Sequence, residues 1–301
     1  MTPIEVRQRV RFTSGGEDVV GWHYPGSNAA CIVMAPGGGV TKEPGTDRFA
    51  ARFNAAGYSV LAIDFRHLGE SGGQPRQVVR VSEQLADLEA AVRYAATLPE
   101  VAADKIACWG FSLAGGHLFR IAARTDGVAA VIAQSPLTDN LVAAPKALRY
   151  ETPAVALRFP LIAAADAISG LVGRPPRVIP LAGPRGTVAM LSTPDALEGA
   201  DALDPEGRYP DWQQTIAARS VLPLMAYRPA KEANRARCPM LIVICEDDTS
   251  VLAAPAHRAA ARVPDAEVVS VPGGHYAPFL DQHESVVTAE LDFLSRRLLE
   301  S

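Results

Sequence analysis

The stretch KIACWGFSLAGGH, Lys105 to His117, decides the fold that this sequence encodes. It begins as an apolar run, ends abruptly in small residues, and carries a single serine, Ser112, between the two parts. The apolar run to Phe111 is typical of a buried strand, and residues 113–124 predict a helix that follows it directly. Ser112 therefore lies on a tight turn at the carboxyl end of a strand.

The sequence on both sides of this stretch alternates between strand and helix patterns. Strands are predicted at 29–36, 58–65, 105–111, 128–136, 238–248 and 266–273, and helices at 46–57, 81–98, 113–124, 254–263 and 285–299. Two N-terminal segments, 6–14 and 18–25, predict an antiparallel pair at a sheet edge. Alternation of this kind predicts an α/β protein, with a mostly parallel central sheet and helices on both of its faces.

The alternation is interrupted between residues 137 and 237, where proline is dense and short apolar segments predict helices. We expect an α/β core formed by residues 1–136 and 238–301, with an inserted helical lid at 137–237 over the carboxyl edge of the sheet. A separate binding module is the alternative. Because the insertion is rich in apolar residues, we expect Trp212, Met225 and Tyr227 to line a hydrophobic pocket.

Composition excludes several classes of protein. Of the 301 residues, 21% are charged, the net charge is −4, and no basic block is present, which argues against nucleic-acid binding. The N-terminal residues lack the apolar core of a signal peptide, and no uninterrupted apolar run reaches the ~18 residues of a membrane span. Four scattered cysteines predict free, buried thiols and no metal site. A cytoplasmic location is the default, and a homodimer is left open.

The surroundings of Ser112 favour nucleophilic catalysis. A serine on a strand-to-helix turn is exposed at the sheet edge, and the helix N-terminus stabilises negative charge that develops beside it. The residues two before and two after must be small, and they are Gly110 and Ala114. The string G-F-S-L-A departs from G-x-S-x-G only in its last residue.

A serine needs a base, and the base needs an orienting acid. His275 follows the last predicted strand on the loop VPGGHYAPF, at the same sheet edge. The preceding strand ends in Glu246, Asp247 and Asp248, and topology does not choose among these three carboxylates. Backbone N–H groups of Leu113 and of the loop Gly37–Lys42 would form an oxyanion hole.

With these parts in order, the chain resembles the α/β-hydrolase superfamily over almost its whole length apart from the insertion. It is most similar to bacterial serine esterases related to dienelactone hydrolases and X-prolyl peptidases, and GYSVLAIDFRHLGESGG resembles a strand-and-loop segment of that group. The resemblance implies Asp248 as the triad acid with Asp247 in reserve, His275 as the base, and Gly38 as the second oxyanion donor. Pro36-Gly37 stands where that group usually has His-Gly, and because the donor is a backbone amide we expect the oxyanion hole to stay intact.

The resemblance implies a serine hydrolase that cleaves an ester or thioester carrying an apolar acyl or alcohol group, with no cofactor. Hydrolysis of an amide, peptide or lactone is the alternative, as is a lyase, cyclase or ligand receptor on the same fold. We expect three other residues to be non-catalytic: His67 near the rim of the site, His117 in packing, and Asp64 in stabilising the loop after its strand.

Overall fold

The computed structural model describes residues 7–300, so Val6 of the first predicted strand lies outside the described part. An eight-stranded sheet forms the centre of the molecule. Its strands are β1 (Gln8–Ser14), β2 (Glu17–Tyr24), β3 (Cys31–Ala35), β4 (Ser59–Ile63), β5 (Ile106–Phe111), β6 (Ala130–Gln134), β9 (Met240–Cys245) and β10 (Ala266–Val271). The helices that flank it are α1 (Thr46–Ala55), α2 (Val81–Ala95), α3 (Leu113–Arg124), α8 (Ala253–Ala260) and α9 (His283–Leu294).

The strand order is β1-β2-β4-β3-β5-β6-β9-β10. The pairs β1–β2 and β2–β4 are antiparallel, and every other neighbouring pair is parallel. The predicted fold class, with its antiparallel pair at the sheet edge, is therefore confirmed. Because β3, β4, β5, β6, β9 and β10 all run in one direction, the loops that follow β5, β9 and β10 meet at one edge.

Two apolar layers cover the sheet, and the alternation of side chains along each strand divides them. In β5, Ile106 and Cys108 face one layer, while Ala107, Trp109 and Phe111 face the other. Helices α2, α3 and α8 pack on the first face, and α1 and α9 pack on the second. Burial on both faces explains why the central strands are continuous apolar runs rather than alternating ones.

The inserted segment, residues 137–237, enters the chain between β6 and β9. Its elements are α4 (Asn140–Ala147), α5 (Pro153–Leu171), β7 (Val178–Pro180), α6 (Gly199–Leu203), β8 (Thr215–Ala217) and α7 (Val221–Met225). The helices agree with the sequence analysis, but the antiparallel pair β7–β8 was not predicted. Each of its strands has three residues, which is too short to produce a recognisable alternation of apolar and polar side chains.

Helix α5 is long and apolar enough to cross a membrane by length and composition alone, although most of it is exposed in this structure. No span was expected from the sequence, because its longest apolar segments contain charges or prolines; in α5 these are Arg158, Pro160 and Asp166. The inner side of α5 is fixed to the rest of the inserted segment by the ion pair between Asp166 and Arg219, which are 2.9 Å apart. Its outer side exposes the apolar residues Leu157, Leu161, Ile168 and Leu171.

A buried carboxyl group in α9 makes the stability of the fold depend on pH. Glu290 is fully buried, accepts a hydrogen bond from Trp109 Nε1 at 3.1 Å, and leaves Oε2 without a partner within residues 7–300. Burial raises the pKa of Glu290 well above its usual value, and the Trp109 hydrogen bond offsets only part of this. The folded state thus holds this proton more tightly than the unfolded state, so stability falls as pH rises above the unfolded pKa.

Replacing Glu290 with glutamine is expected to stabilise the protein at alkaline pH. Glutamine keeps the acceptor for Trp109 and removes the cost of ionising a buried carboxyl group. We expect the Tm advantage of Glu290→Gln over the wild type to grow by about 2 °C or more between pH 5 and pH 9, measured by thermal melts. A Tm difference that does not change with pH would contradict this account.

Candidate active site

The turn between β5 and α3 holds Ser112 in a strained conformation. Its φ is 55° and its ψ is −113°, a region that a residue with a Cβ rarely adopts. A Cβ on Gly110 would lie 2.8 Å from the carbonyl carbon of Ala114, so glycine is required at that position. The small residues around the serine are thus explained by the turn, which brings the Ser112 side chain to the edge of the sheet.

Ser112, His275 and Asp248 form a connected chain of hydrogen-bond distances. The Ser112 Oγ lies 2.9 Å from His275 Nε2, and His275 Nδ1 lies 2.7 Å from Asp248 Oδ2. Both His275 and Asp248 are buried. Burial lowers the pKa of His275, but the charge and hydrogen bond of Asp248 and the charge of Asp195 outweigh burial and raise it overall. A histidine held in this way can take a proton from the serine hydroxyl.

The structure separates the three carboxylates that the sequence left together. Of these three, Asp248 is the one that contacts His275, and its other oxygen, Oδ1, accepts hydrogen bonds from the N–H groups of Ser250 and Val251, both at 2.8 Å. Asp247 is exposed and accepts the N–H of Gly273 at 3.0 Å. Glu246 is also exposed and faces His257 at 2.9 Å. Of the three acids after β9, Asp248 is therefore buried against His275, and Glu246 and Asp247 are exposed to solvent.

The loop after β3 lies against Leu113 and lines the same cavity as Ser112. Gly38 packs against Leu113, since a Cβ built on Gly38 would lie 3.3 Å from the Leu113 side chain. Leu113 is the first residue of α3, so its N–H has no acceptor within the helix. Asp64 stabilises the loop by accepting the Lys42 N–H at 2.7 Å and the Lys42 Nζ at 2.9 Å. Gly38 and Leu113 thus lie next to the serine, where the sequence analysis expected an oxyanion hole.

A cavity of about 460 Å³ opens above Ser112 and His275. Gly37 and Gly38 form part of its floor, while much of the remaining wall comes from the inserted segment. Most of these wall residues are apolar, among them Ala143, Val155, Phe159, Met190, Trp212 and Met225. Trp212 and Met225 line the cavity as expected, but Tyr227 does not: its hydroxyl lies 2.8 Å from His117 Nδ1.

Two further histidines have structural partners. His117 is fully buried between Tyr227 and Gln84, and burial lowers its pKa to about 3, which fits the packing role that we expected. His67 differs from the expectation of a residue near the rim of the site. It is buried, its Nε2 lies 2.7 Å from Glu83 Oε2, and it is not among the residues that line the cavity.

Asp195 was not predicted from the sequence. This residue belongs to the inserted segment, yet its carboxylate contacts the loop that carries Asp248 and the loop that carries His275. In the sequence it looks like Glu198, Asp201 or Asp204, the other acids of a polar stretch. Only the folded structure distinguishes it from them.

Within residues 7–300, no group of three or more His, Cys, Asp or Glu side chains is placed to hold a metal ion. The four cysteines are free and buried, and burial raises the pKa of Cys245, near the site, to about 12. A thiol in this state is a poor nucleophile. Ser112 is therefore the side chain whose surroundings suit nucleophilic attack.

Comparison with known proteins identifies the family of this chain. The profile of the Alpha/beta hydrolase family matches residues 32–289. The chain belongs to this family. The quorum-quenching protein AidA of Acinetobacter baumannii (strain MDR-ZJ06) is 36% identical over 267 residues, which covers 88% of this chain and 86% of AidA. A thiohydrolase of Eupenicillium brefeldianum is 29% identical over 251 residues, which covers 81% of this chain and 78% of that protein.

Among solved structures, the alpha/beta hydrolase GrgF from Penicillium sp. sh18 superposes with a TM-score of 0.79 at 25% identity, covering 97% of this chain and 99% of GrgF. These matches support an alpha/beta hydrolase with hydrolytic relatives. They do not support the narrower resemblance to dienelactone hydrolases and X-prolyl peptidases.

Proposed function

We propose that this alpha/beta hydrolase is a serine hydrolase that cleaves a carboxylic ester or thioester through an acyl-serine intermediate. The observation that carries the proposal is the hydrogen-bonded chain from the buried Asp248 and His275 to Ser112, which ends at the apolar cavity. The thiohydrolase among the relatives supports the inclusion of thioesters.

In the proposed reaction, His275 Nε2 takes the proton of Ser112 as Oγ attacks the substrate carbonyl carbon. Asp248 holds the His275 tautomer and stabilises the imidazolium. The N–H groups of Leu113 and Gly38 stabilise the oxyanion. The alcohol or thiol leaves with the proton from His275, and a water activated by His275 then hydrolyses the acyl-serine.

The cavity indicates which substrates fit this site. Its wall is mostly apolar, and its volume suits a small molecule rather than a folded protein or a nucleic acid. We therefore propose a small ester or thioester with an apolar acyl or alcohol group. The inserted segment would act as the lid, because Ala143, Phe159 and Trp212 close the cavity from outside the sheet. A cytoplasmic location stays a prediction.

A series of p-nitrophenyl esters from acetate to palmitate tests the proposal. We expect an optimum below palmitate, with a loss of about tenfold or more in kcat/KM beyond it, since an apolar cavity of about 460 Å³ accommodates only a limited acyl length. Stoichiometric labelling by a fluorophosphonate, located on Ser112 by mass spectrometry, identifies the nucleophile. Labelling without ester turnover would favour an amidase, a lactonase or a non-hydrolytic role. The absence of both labelling and turnover would refute the proposal.

A further inference from the structure

Asp195 connects the inserted segment to the two loops that carry the base and the acid. It lies in a short 3₁₀ turn, Pro194–Glu198. Its Oδ2 accepts the N–H of His275 at 3.1 Å and the N–H of Thr249 at 2.9 Å. Its Oδ1 accepts the hydroxyl groups of Thr249 at 2.6 Å and Ser250 at 2.8 Å. One carboxylate thus receives four hydrogen bonds, all from outside its own segment.

The packing around Asp195 is tight on both sides. A Cβ on Gly274, which precedes His275, would lie 2.9 Å from the Asp195 Cβ. A Cβ on Gly199, at the start of α6, would lie 2.6 Å from the ring of Tyr276. Because glycine is needed on each side of the contact, the turn sits directly against the His275 loop. Small displacements of the turn would therefore be transmitted to the histidine.

We propose that Asp195 is a positioning residue that fixes His275 and the Asp248 loop relative to Ser112, so that the triad is complete only when the inserted segment is seated. This inference rests on the proposed function. Asp248 orients the imidazole ring through its side chain, whereas Asp195 holds the backbone of the same histidine. The two acids therefore constrain different degrees of freedom of one residue, and neither can replace the other.

The charge of Asp195 also acts on the imidazole. The charged and titratable groups around it are His275, Asp248, Tyr276 and Cys245. Burial alone would raise the pKa of Asp195, but hydrogen bonds from Thr249 and Ser250 and the charge of His275 lower it to about 2. Asp195 is thus ionised near neutral pH and helps Asp248 to raise the pKa of His275.

The variant Asp195→Asn tests this role through the pH dependence of kcat/KM. Asparagine keeps an acceptor oxygen but removes the charge, so the pKa of His275 should fall and the acid limb of the profile should move to lower pH. We also expect kcat to fall by about 10- to 100-fold, because the histidine is less precisely placed. Asp201→Asn, an exposed acid of the same segment, is the matched control and should change neither quantity.

A loss of kcat with an unmoved acid limb would show a merely structural role and overturn the proposal, as would wild-type kinetics. If Asp195→Asn fails to fold, Ser250→Ala replaces it. That variant removes one donor but leaves the charge, so kcat should fall by several-fold without a shift of the limb. An unchanged kcat would then count against the proposal. NMR titration of the His275 ring in the wild type and Asp195→Asn reads the same pKa shift without turnover, so failure of the proposed function would be recognised separately.

Discussion

Replacing Ser112 with alanine is expected to lower ester turnover by about 10⁴- to 10⁶-fold. The substitution removes the Oγ that lies 2.9 Å from His275 Nε2, and with it the covalent intermediate. The backbone groups of Leu113 and Gly38 and the cavity remain, so a small residual rate over water should persist. The measurement is kcat/KM on the preferred p-nitrophenyl ester, together with fluorophosphonate labelling, which should disappear.

Ser82→Ala serves as the control, since Ser82 is exposed on α2 and outside the residues that line the cavity. It should retain wild-type turnover and labelling. Thermal melts should show that Ser112→Ala is folded. The substitution does not relieve the strain of the φ of 55° at this position, because alanine also carries a Cβ. A folded Ser112→Ala protein with turnover within tenfold of the wild type would place the nucleophile elsewhere.

The sequence predicted the sheet and the position of Ser112 because both depend on local pattern. A strand buried on both faces must be an apolar run, and a turn as tight as that at Ser112 excludes a side chain at Gly110. His275 could be placed for a related reason: in a parallel sheet, the residues after successive strands meet at one edge. These inferences need only the order of elements along the chain.

The inserted segment could be predicted only in outline. Its contacts with the core join residues far apart in the sequence, such as Asp195 with His275, and no periodicity marks such a pair. Tyr227 shows the same limit, because an aromatic residue beside apolar neighbours suits a pocket wall as well as a buried partner for His117. The exposed outer side of α5 could not be predicted either, because an apolar side chain in a sequence indicates burial, whereas these apolar side chains are exposed.

The pair Asp247 and Asp248 offers the sharpest test of how the site is assembled, because the two residues are adjacent and chemically identical. Replacing Asp248 with asparagine is expected to reduce kcat by about 10⁴-fold near neutral pH. The amide would donate to His275 Nδ1 and so stabilise the tautomer that carries its proton on Nε2, which cannot accept the proton of Ser112. The kcat of Asp247→Asn should stay within about threefold of the wild-type value. The Asp247 side chain is exposed, and it accepts a hydrogen bond from the backbone N–H of Gly273 in the loop after β10.

Both variants are compared by kcat on the preferred ester, with fluorophosphonate labelling rates as a second readout that should fall only for Asp248→Asn. Equal losses in the two variants would mean that the loop after β9 acts as a structural unit rather than through one carboxylate. A loss confined to Asp247→Asn would transfer the orienting role to the neighbouring acid and require the loop to rearrange when substrate binds. The 2.7 Å distance between Asp248 Oδ2 and His275 Nδ1, in a buried setting, favours a loss confined to Asp248→Asn, because a hydrogen-bond acceptor is needed at this position to keep the base in the right tautomer.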